Sequence, residues 1–252
     1  MRSAVQTRLP TPSSNRPFVL VNVAITADGK IAAANRTMSC FTGARDQEHM
    51  LELRATADAV MCGARTVDQG TVGLGPGRLK YRRLRQKRGL AEYNLRIVVS
   101  GSGSVNPQAH LFRHRFSPII VLASERISQA RQRRLQAVAD EVKISGDREI
   151  DFPAALAWLR ERWHVKRLLC EGGGELNAAL FRAGLVDEVH LTIAPKIFGG
   201  RDAPTLADGI GAATLAEAVP LQLRSMKRAG DELFLVYRVV PKARAAAGGG
   251  SL

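Results

Sequence analysis

The stretch Lys166-Arg167-Leu168-Leu169-Cys170-Glu171-Gly172-Gly173-Gly174-Glu175-Leu176-Asn177-Ala178-Ala179-Leu180-Phe181-Arg182-Ala183-Gly184 decides the fold. Lys166–Cys170 is a short apolar run that reads as a strand. Three glycines follow, and then Leu176, Ala179, Leu180 and Ala183 recur at helical spacing on one face. Gly184 fits the C-terminal cap of that helix. A strand passing through a bare glycine bend into a helix is the joint of an α/β sheet. It is also a physical anion site. Backbone without Cβ lets phosphate oxygens approach, and the first-turn N–H groups point at them. The spacing is not G-x-G-x-x-G, and the lysine of a P-loop is absent. The cluster by itself therefore leaves a phosphate site and a plain tight connection equally open. Glu171 adds chemistry: a carboxylate is a poor phosphate ligand but accepts hydrogen bonds from a ring N–H or an amino group.

The same strand–helix alternation extends on both sides. Phe18–Ile25 is a nearly continuous apolar run, as in a central strand buried on both faces. Asp46–Ala57 carries Met50, Leu53 and Ala57 at helical spacing. Ala59–Cys62, Arg96–Ser100 and Pro118–Ala123 read as further strands. Ser128 is the expected N-cap of a helix carrying Leu135 and Val138. Asp151 caps another, opened by Pro153, with Ala155, Leu156, Leu159 and Trp163 on its apolar face. Glu188–Ile193, Leu221–Met226 and Glu232–Val240 read as strands, the last two joined by a Gly230-Asp231 hairpin. The expected architecture is α/β, with three α/β/α layers around a mixed, mostly parallel sheet closed by antiparallel C-terminal strands. One domain over 17–241 is expected, flanked by disordered tails at 1–16 and 242–252.

Composition narrows the class. The chain has 252 residues, 45% hydrophobic and 24% charged, enough to fill one core. No apolar run approaches the roughly 20 residues that span a bilayer. The start has no apolar signal core, which points to a cytoplasmic protein. Its arginines, without acids, fit a transit peptide or a loose tail, and the tail is preferred. Cys40, Cys62 and Cys170 are far apart and lack metal-ligand spacing, so they read as reduced thiols with no metal. The net charge is +14. Much of it sits in Arg78–Arg88, a run without acids, and in Arg126, Arg131, Arg133 and Arg134. A lone aromatic, Tyr81, interrupts the run, too little for base stacking. A solvated basic loop that attracts an anionic small molecule is preferred over nucleic-acid binding.

Four more turns join the triglycine bend. They are Cys62-Gly63-Ala64-Arg65-Thr66-Val67, Thr26-Ala27-Asp28-Gly29-Lys30-Ile31, Ser39-Cys40-Phe41-Thr42-Gly43 with Asp46 beyond, and Val99-Ser100-Gly101-Ser102-Gly103. Each has a plain structural reading: Asp-Gly is an ordinary turn, and Asp46 suits a helix dipole. Collectively they lie near strand ends of one sheet, where α/β proteins bind nucleotide-sized ligands.

Taken in order, these motifs resemble the reductase domain of riboflavin biosynthesis. That domain is the C-terminal half of bacterial deaminase-reductases and also stands alone in archaeal and fungal pyrimidine reductases. The likeness covers residues 17–240, including Leu53–Val67, Gly184-Leu185-Val186-Asp187-Glu188-Val189, Ala194-Pro195-Lys196 and Gly199-Gly200. It implies a dihydrofolate-reductase-like fold, a homodimer and NADPH. It also implies reduction of a ribosylamino-pyrimidine 5′-phosphate by hydride transfer to C1′ of the ring-opened imine. On this resemblance Gly63, Arg65, Thr66, Ser100, Gly172, Gly173 and Gly174 bind the cofactor, with Ser100 near the adenosine 2′-phosphate. Asn22, Thr42, Glu171 and Arg78 bind substrate. Asp28 and Glu171 are the catalytic candidates, Asp28 organising the proton that accompanies hydride.

One segment departs from the family pattern. After Thr66-Val67 the family usually carries Asp-Asp-Pro-x-Leu-Thr and an arginine. This chain reads Asp68-Gln69-Gly70-Thr71-Val72-Gly73-Leu74-Gly75-Pro76-Gly77 and then the basic run. The departure touches the substrate more than the cofactor. A related reductase of a pterin, folate-like or other carbonyl or imine substrate is the alternative, and a non-enzymatic nucleic-acid-binding protein is the second alternative.

Overall fold

The structure is a computed structural model that describes residues 15–36 and 40–241. Ser39 and the segments 1–14 and 242–252, most of the two expected tails, lie outside the described residues. Arg16, the last residue of the expected N-terminal tail, is docked onto the domain: its guanidinium donates twice to Asp187, at 2.7 and 2.9 Å.

Among the described residues nine strands form one sheet. In chain order they are β1 (Phe18–Thr26), β2 (Ala59–Gly63), β3 (Leu95–Val99), β4 (Ile119–Ala123), β5 (Glu141–Ile144), β6 (Arg167–Cys170), β7 (Glu188–Ala194), β8 (Leu221–Ala229) and β9 (Glu232–Val239). Across the sheet the order is β5-β4-β3-β2-β6-β1-β7-β9-β8. β1 to β7 pair in parallel. β9 is antiparallel to β7, and β8 to β9, as the closing hairpin predicts. β5 has no counterpart in the sequence reading, because four half-buried residues at an edge carry too little periodicity to stand out.

Helices cover both faces. On one side lie α1 (Ala44–Arg54), α2 (Ala64–Gln69), α4 (His110–Arg113) and α5 (Gln129–Gln136). They pack Leu53, Val67, Leu111 and Leu135 against Leu20, Val60 and Val98. On the other side lie α6 (Phe152–Arg162) and α7 (Gly174–Arg182). They pack Leu156, Leu159, Leu176 and Leu180 against Val19, Val21 and Leu168. Each fully buried leucine contributes roughly 1.5–3 kcal/mol. The predicted caps are present. Ser128 Oγ accepts from Arg131 N at 3.3 Å and Asp151 Oδ1 from Ala154 N at 2.9 Å.

The basic run is not a solvated loop. Leu79–Lys87 is a helix, here α3, as expected of arginine and lysine in number. Its acids come from elsewhere: Lys80 pairs with Glu48 at 3.1 Å and Arg82 with Glu92 at 2.8 Å. Arg85 is 1% exposed. It donates to Arg54 O, Ala57 O and Ala91 O at 2.5 to 2.8 Å. Those first two carbonyls lie at the C-terminal end of α1, where orphan acceptors need donors. Burial pulls the Arg85 guanidinium down to about 10, so it remains a cation at neutral pH.

Candidate active site

The neighbouring strands β2 and β6 lead into α2 and α7, which lie on opposite faces of the sheet. Their C-terminal ends therefore mark a topological switch point, where helices turn away and leave a crevice. Gly63 N, ending β2, donates to Gly172 O at 3.3 Å, and Glu171 N donates to Met61 O at 2.8 Å. Two of the sequence motifs thus meet at adjacent strand ends.

The triglycine bend divides its work. Gly172 has φ +61°, and a Cβ there would lie 2.8 Å from the Asn177 amide. Gly174 is closed in by the Asp208 carboxylate and Thr205 O. Gly173 is the reverse: its φ is +112°, yet among the described residues nothing lies within 4 Å of where a Cβ would stand. Packing does not require glycine at 173, but the backbone conformation does. Its bare face opens outward at the N-terminus of α7, an arrangement fit for an anion. Buried Asn177 ties α7 to the facing loop, donating to Leu206 O at 2.9 Å, while Asp208 N donates to Gly174 O at 3.0 Å.

Glu171 stands beside the bend on the α1 face. Arg54, at the end of α1, donates Nε and Nη2 to its two oxygens at 2.6 Å each. A third donor, Nη1, reaches Gly75 O at 2.8 Å and pins the loop that departs from the family pattern. Burial alone would lower the Arg54 pKa, but the Glu171 charge and hydrogen bond outweigh it and raise it. The pair is thus ionic, and the bidentate fork fixes the plane of the carboxylate. A carboxylate has about four lone-pair directions, so two remain for a ligand. Cys62 and Cys170 flank the pair. Burial pushes both thiols up, Cys170 to about 12, so neither is a nucleophile.

Asp28 lies at the end of β1. Its carboxylate accepts from Thr26 Oγ1 at 2.5 Å, Gly199 N at 2.7 Å and Phe198 N at 3.2 Å. The Thr26 hydrogen bond, helped by those amides, holds its pKa below the usual carboxylate range. Asp28 therefore anchors the 198–199 turn through its carboxylate. Lys30 supports the same wall, donating Nζ to Ala203 O at 3.2 Å.

The remaining candidates lie on several elements. Asn22 is on β1, in register with His190 of β7, and its buried Oδ1 has no partner among the described residues. Arg65 and Thr66 open α2, and Arg65 lies 3.8 Å from Glu175 of α7. Thr42 is half-buried just before α1, and Arg78 is exposed just before α3. Ser100 is 4% exposed, and its Oγ accepts from Val105 N at 3.2 Å. What this turn offers a ligand is Gly101-Ser102 rather than the Ser100 hydroxyl. Sequence reading passed over Arg54, Asn177 and Asp208. Arg54 stood in a quoted motif, but a basic residue closing a helix has a sufficient local reason in the dipole.

Parallel strands, a glycine bend at a switch point and a fixed carboxylate define an α/β protein whose strand ends are suited to a nucleotide-sized ligand. Known proteins narrow this. The sequence pattern of the RibD C-terminal domain matches residues 17–235. The chain is 37% identical over 227 residues to the 2,5-diamino-6-ribosylamino-4(3H)-pyrimidinone 5′-phosphate reductase of Methanothermobacter thermautotrophicus, covering 89% of this chain and 99% of that one. It is 34% identical over 194 residues to the protein of the same name from Archaeoglobus fulgidus, covering 77% of this chain and 87% of that one. A pyrimidine reductase-like protein from Corynebacterium diphtheriae shares the fold, with TM-score 0.74 at 23% identity over 94% of this chain and 98% of that one. Acinetobacter baumannii RibD shares it too, with TM-score 0.73 at 18% identity over 90% of this chain and 59% of that longer one. The chain belongs to the RibD C-terminal domain family.

Proposed function

We propose that the protein uses NADPH to reduce 2,5-diamino-6-ribosylamino-4(3H)-pyrimidinone 5′-phosphate to its ribitylamino counterpart. The observation that carries this is the Gly173 bend, whose bare, open backbone at φ +112° sits beside the Arg54–Glu171 pair. The names of the archaeal relatives support the substrate.

The residues present fit a dinucleotide. Gly172, Gly173 and the first turn of α7 would take the diphosphate, with Gly63, Arg65 and Thr66 on the facing side. When bound, NADPH supplies the hydride for C1′ of the ring-opened imine. The preference for NADPH over NADH draws on Arg131, whose Nη1 donates to Ser102 O at 3.1 Å and sets a cation beside the Gly101-Ser102 turn. Glu171, held flat by Arg54, accepts N–H groups of the pyrimidine. Asn22 and Thr42 face the same substrate, and Arg78 supplies a cation for the 5′-phosphate. Asp28 works by holding the 198–199 turn against the site, and the proton that accompanies hydride comes from solvent.

The reading includes a cytoplasmic homodimer. Cys62 and Cys170 are buried free thiols, which suit a reducing compartment. The edge strand β8 exposes Leu221, Leu223 and Met226 at 45%, 51% and 64%, and a hydrophobic open edge invites a second chain.

The test is oxidation of NADPH with the pyrimidine phosphate, run beside dihydropterin substrates. The different 68–77 loop favours the pterin-type alternative, so turnover with a pterin alone would replace this reading. Binding to DNA or RNA that weakens steeply with salt, with no NADPH oxidation, would support the nucleic-acid reading instead.

A further inference from the structure

Gly43 is the N-cap of α1 and has no side chain with which to cap. Ser, Thr, Asp or Asn at this position would supply an acceptor locally. Here the acceptor comes from 189 residues away: Gly43 N donates to Glu232 Oε1 at 2.6 Å. Glu232 is the first residue of β9, just after the Gly230-Asp231 turn, and is 9% exposed. A carboxylate at a helix N-terminus is favoured by the dipole, but burying it needs a strong hydrogen bond in return. The space is matched to glycine, since a Cβ on Gly43 would lie 3.3 Å from Glu232 Oε2. Two residues further along β9, Phe234 meets His49 of α1 edge-on, with centroids 5.6 Å apart. The hairpin therefore grips α1 over its first turns. Directly before Gly43 come Thr42 and Phe41. Phe41 packs edge-on against Phe198 at 5.3 Å, and Asp28 holds the Phe198 amide.

From this geometry we infer that Glu232 is a positioning residue. It fixes the Thr42-Gly43 corner, and so the lip that receives the substrate, from the C-terminal hairpin. The inference rests on the substrate-side placement of Thr42 under the proposed function. A local cap would stabilise α1 equally well, whereas a distant one also sets where the corner stands relative to β9.

The variants are Glu232→Ala, Glu232→Gln, Gly43→Ala and the Gly43→Ala/Glu232→Ala pair. Three quantities are read: KM and kcat with the pyrimidine phosphate, NADPH affinity by fluorescence titration, and amide exchange at Gly43. Glu232→Ala should raise KM on the order of tenfold, the scale for losing a charge-assisted hydrogen bond. It should speed Gly43 exchange and leave NADPH affinity within about twofold of wild type. Glu232→Gln, which keeps an acceptor, should recover most of the KM. Gly43→Ala should raise KM as well, and the pair should be little worse than Glu232→Ala alone, because both changes break one contact. An unchanged KM despite faster exchange overturns the inference. So does an equal loss of NADPH affinity and substrate affinity, which would mark a purely structural role. Wild-type turnover tests the function reading separately: an idle wild type refutes that reading, while the variants relative to an active wild type judge Glu232.

Discussion

Replacing Gly173 by alanine separates backbone strain from ligand binding. At φ +112° and ψ 139° the residue occupies a region that L side chains rarely adopt. Holding alanine there costs roughly 1–3 kcal/mol. No atom of the described residues lies within 4 Å of the new methyl, so they add no steric term. In a chain of this size each kcal/mol lowers Tm by about 2–4 °C, so the expected fall is about 2–12 °C. Gly184→Ala is the matched control. Its φ is +65°, its Cβ also meets open space, and it closes α7 at the end away from the bend. Left-handed strain there is roughly 1–2 kcal/mol. Both variants should melt early, but Gly173→Ala alone should lose NADPH affinity, because the methyl projects where the diphosphate must approach. The assay pairs thermal melting with fluorescence titration of NADPH. A Gly173→Ala protein that binds NADPH as tightly as wild type would refute the reasoning and leave the glycine cluster as a mere connection.

Arg54→Met should destabilise the fold by about 3 kcal/mol, since it leaves the Glu171 carboxylate buried and unpaired; urea denaturation measures it, and a loss under about 1 kcal/mol would contradict a buried ion pair. Acid should weaken the fold in two steps. Burial, then neighbouring His190, lowers the His49 pKa, so the native state prefers neutral His49. Stability from this site is complete above the unfolded value of about 6.5 and falls as pH drops below it. Burial pushes the Glu188 carboxyl up, but the His190 hydrogen bond, with the positive charges of His190 and Arg167, outweighs burial and leaves its pKa lowered. Its contribution is therefore lost only at lower pH, as the carboxylate protonates. His49→Leu should flatten the first step and keep the second, as read by melting across pH 4 to 8; an unaltered slope near pH 6 would exclude His49 as the source. Arg78→Ala should raise KM for the phosphorylated substrate by about tenfold, with less effect in high salt, and a KM that does not move would take Arg78 out of the phosphate site.

The fold was largely legible because period and punctuation are local. Lys166–Gly184 shows strand, glycine bend, helix and cap within nineteen residues, and the structure places each of them there. The same local logic found the Ser128 and Asp151 caps and the closing hairpin. It failed where the cause is distant. The run 78–88 looked like a solvated basic loop, because the acids that pair with it, Glu48 and Glu92, and the α1 carbonyls that hold Arg85 are supplied by other segments. β5 was missed because an edge strand takes its identity from β4.

The site divides in the same way. Glycine marks in the sequence the places where positive φ comes most cheaply, as at Gly172 and Gly173. The partners of a charge do not. Glu171 reads as a free carboxylate until Arg54 arrives from 117 residues away, and nothing in the sequence near Asp28 shows that its carboxylate holds the amides of Phe198 and Gly199. Sequence determined the alternating elements, the bare bend and the residue types at the strand ends. Tertiary structure decided which charges meet. Ionic and hydrogen-bonding roles depend on distances of a few ångströms between segments far apart in the chain, and local periodicity carries no record of them.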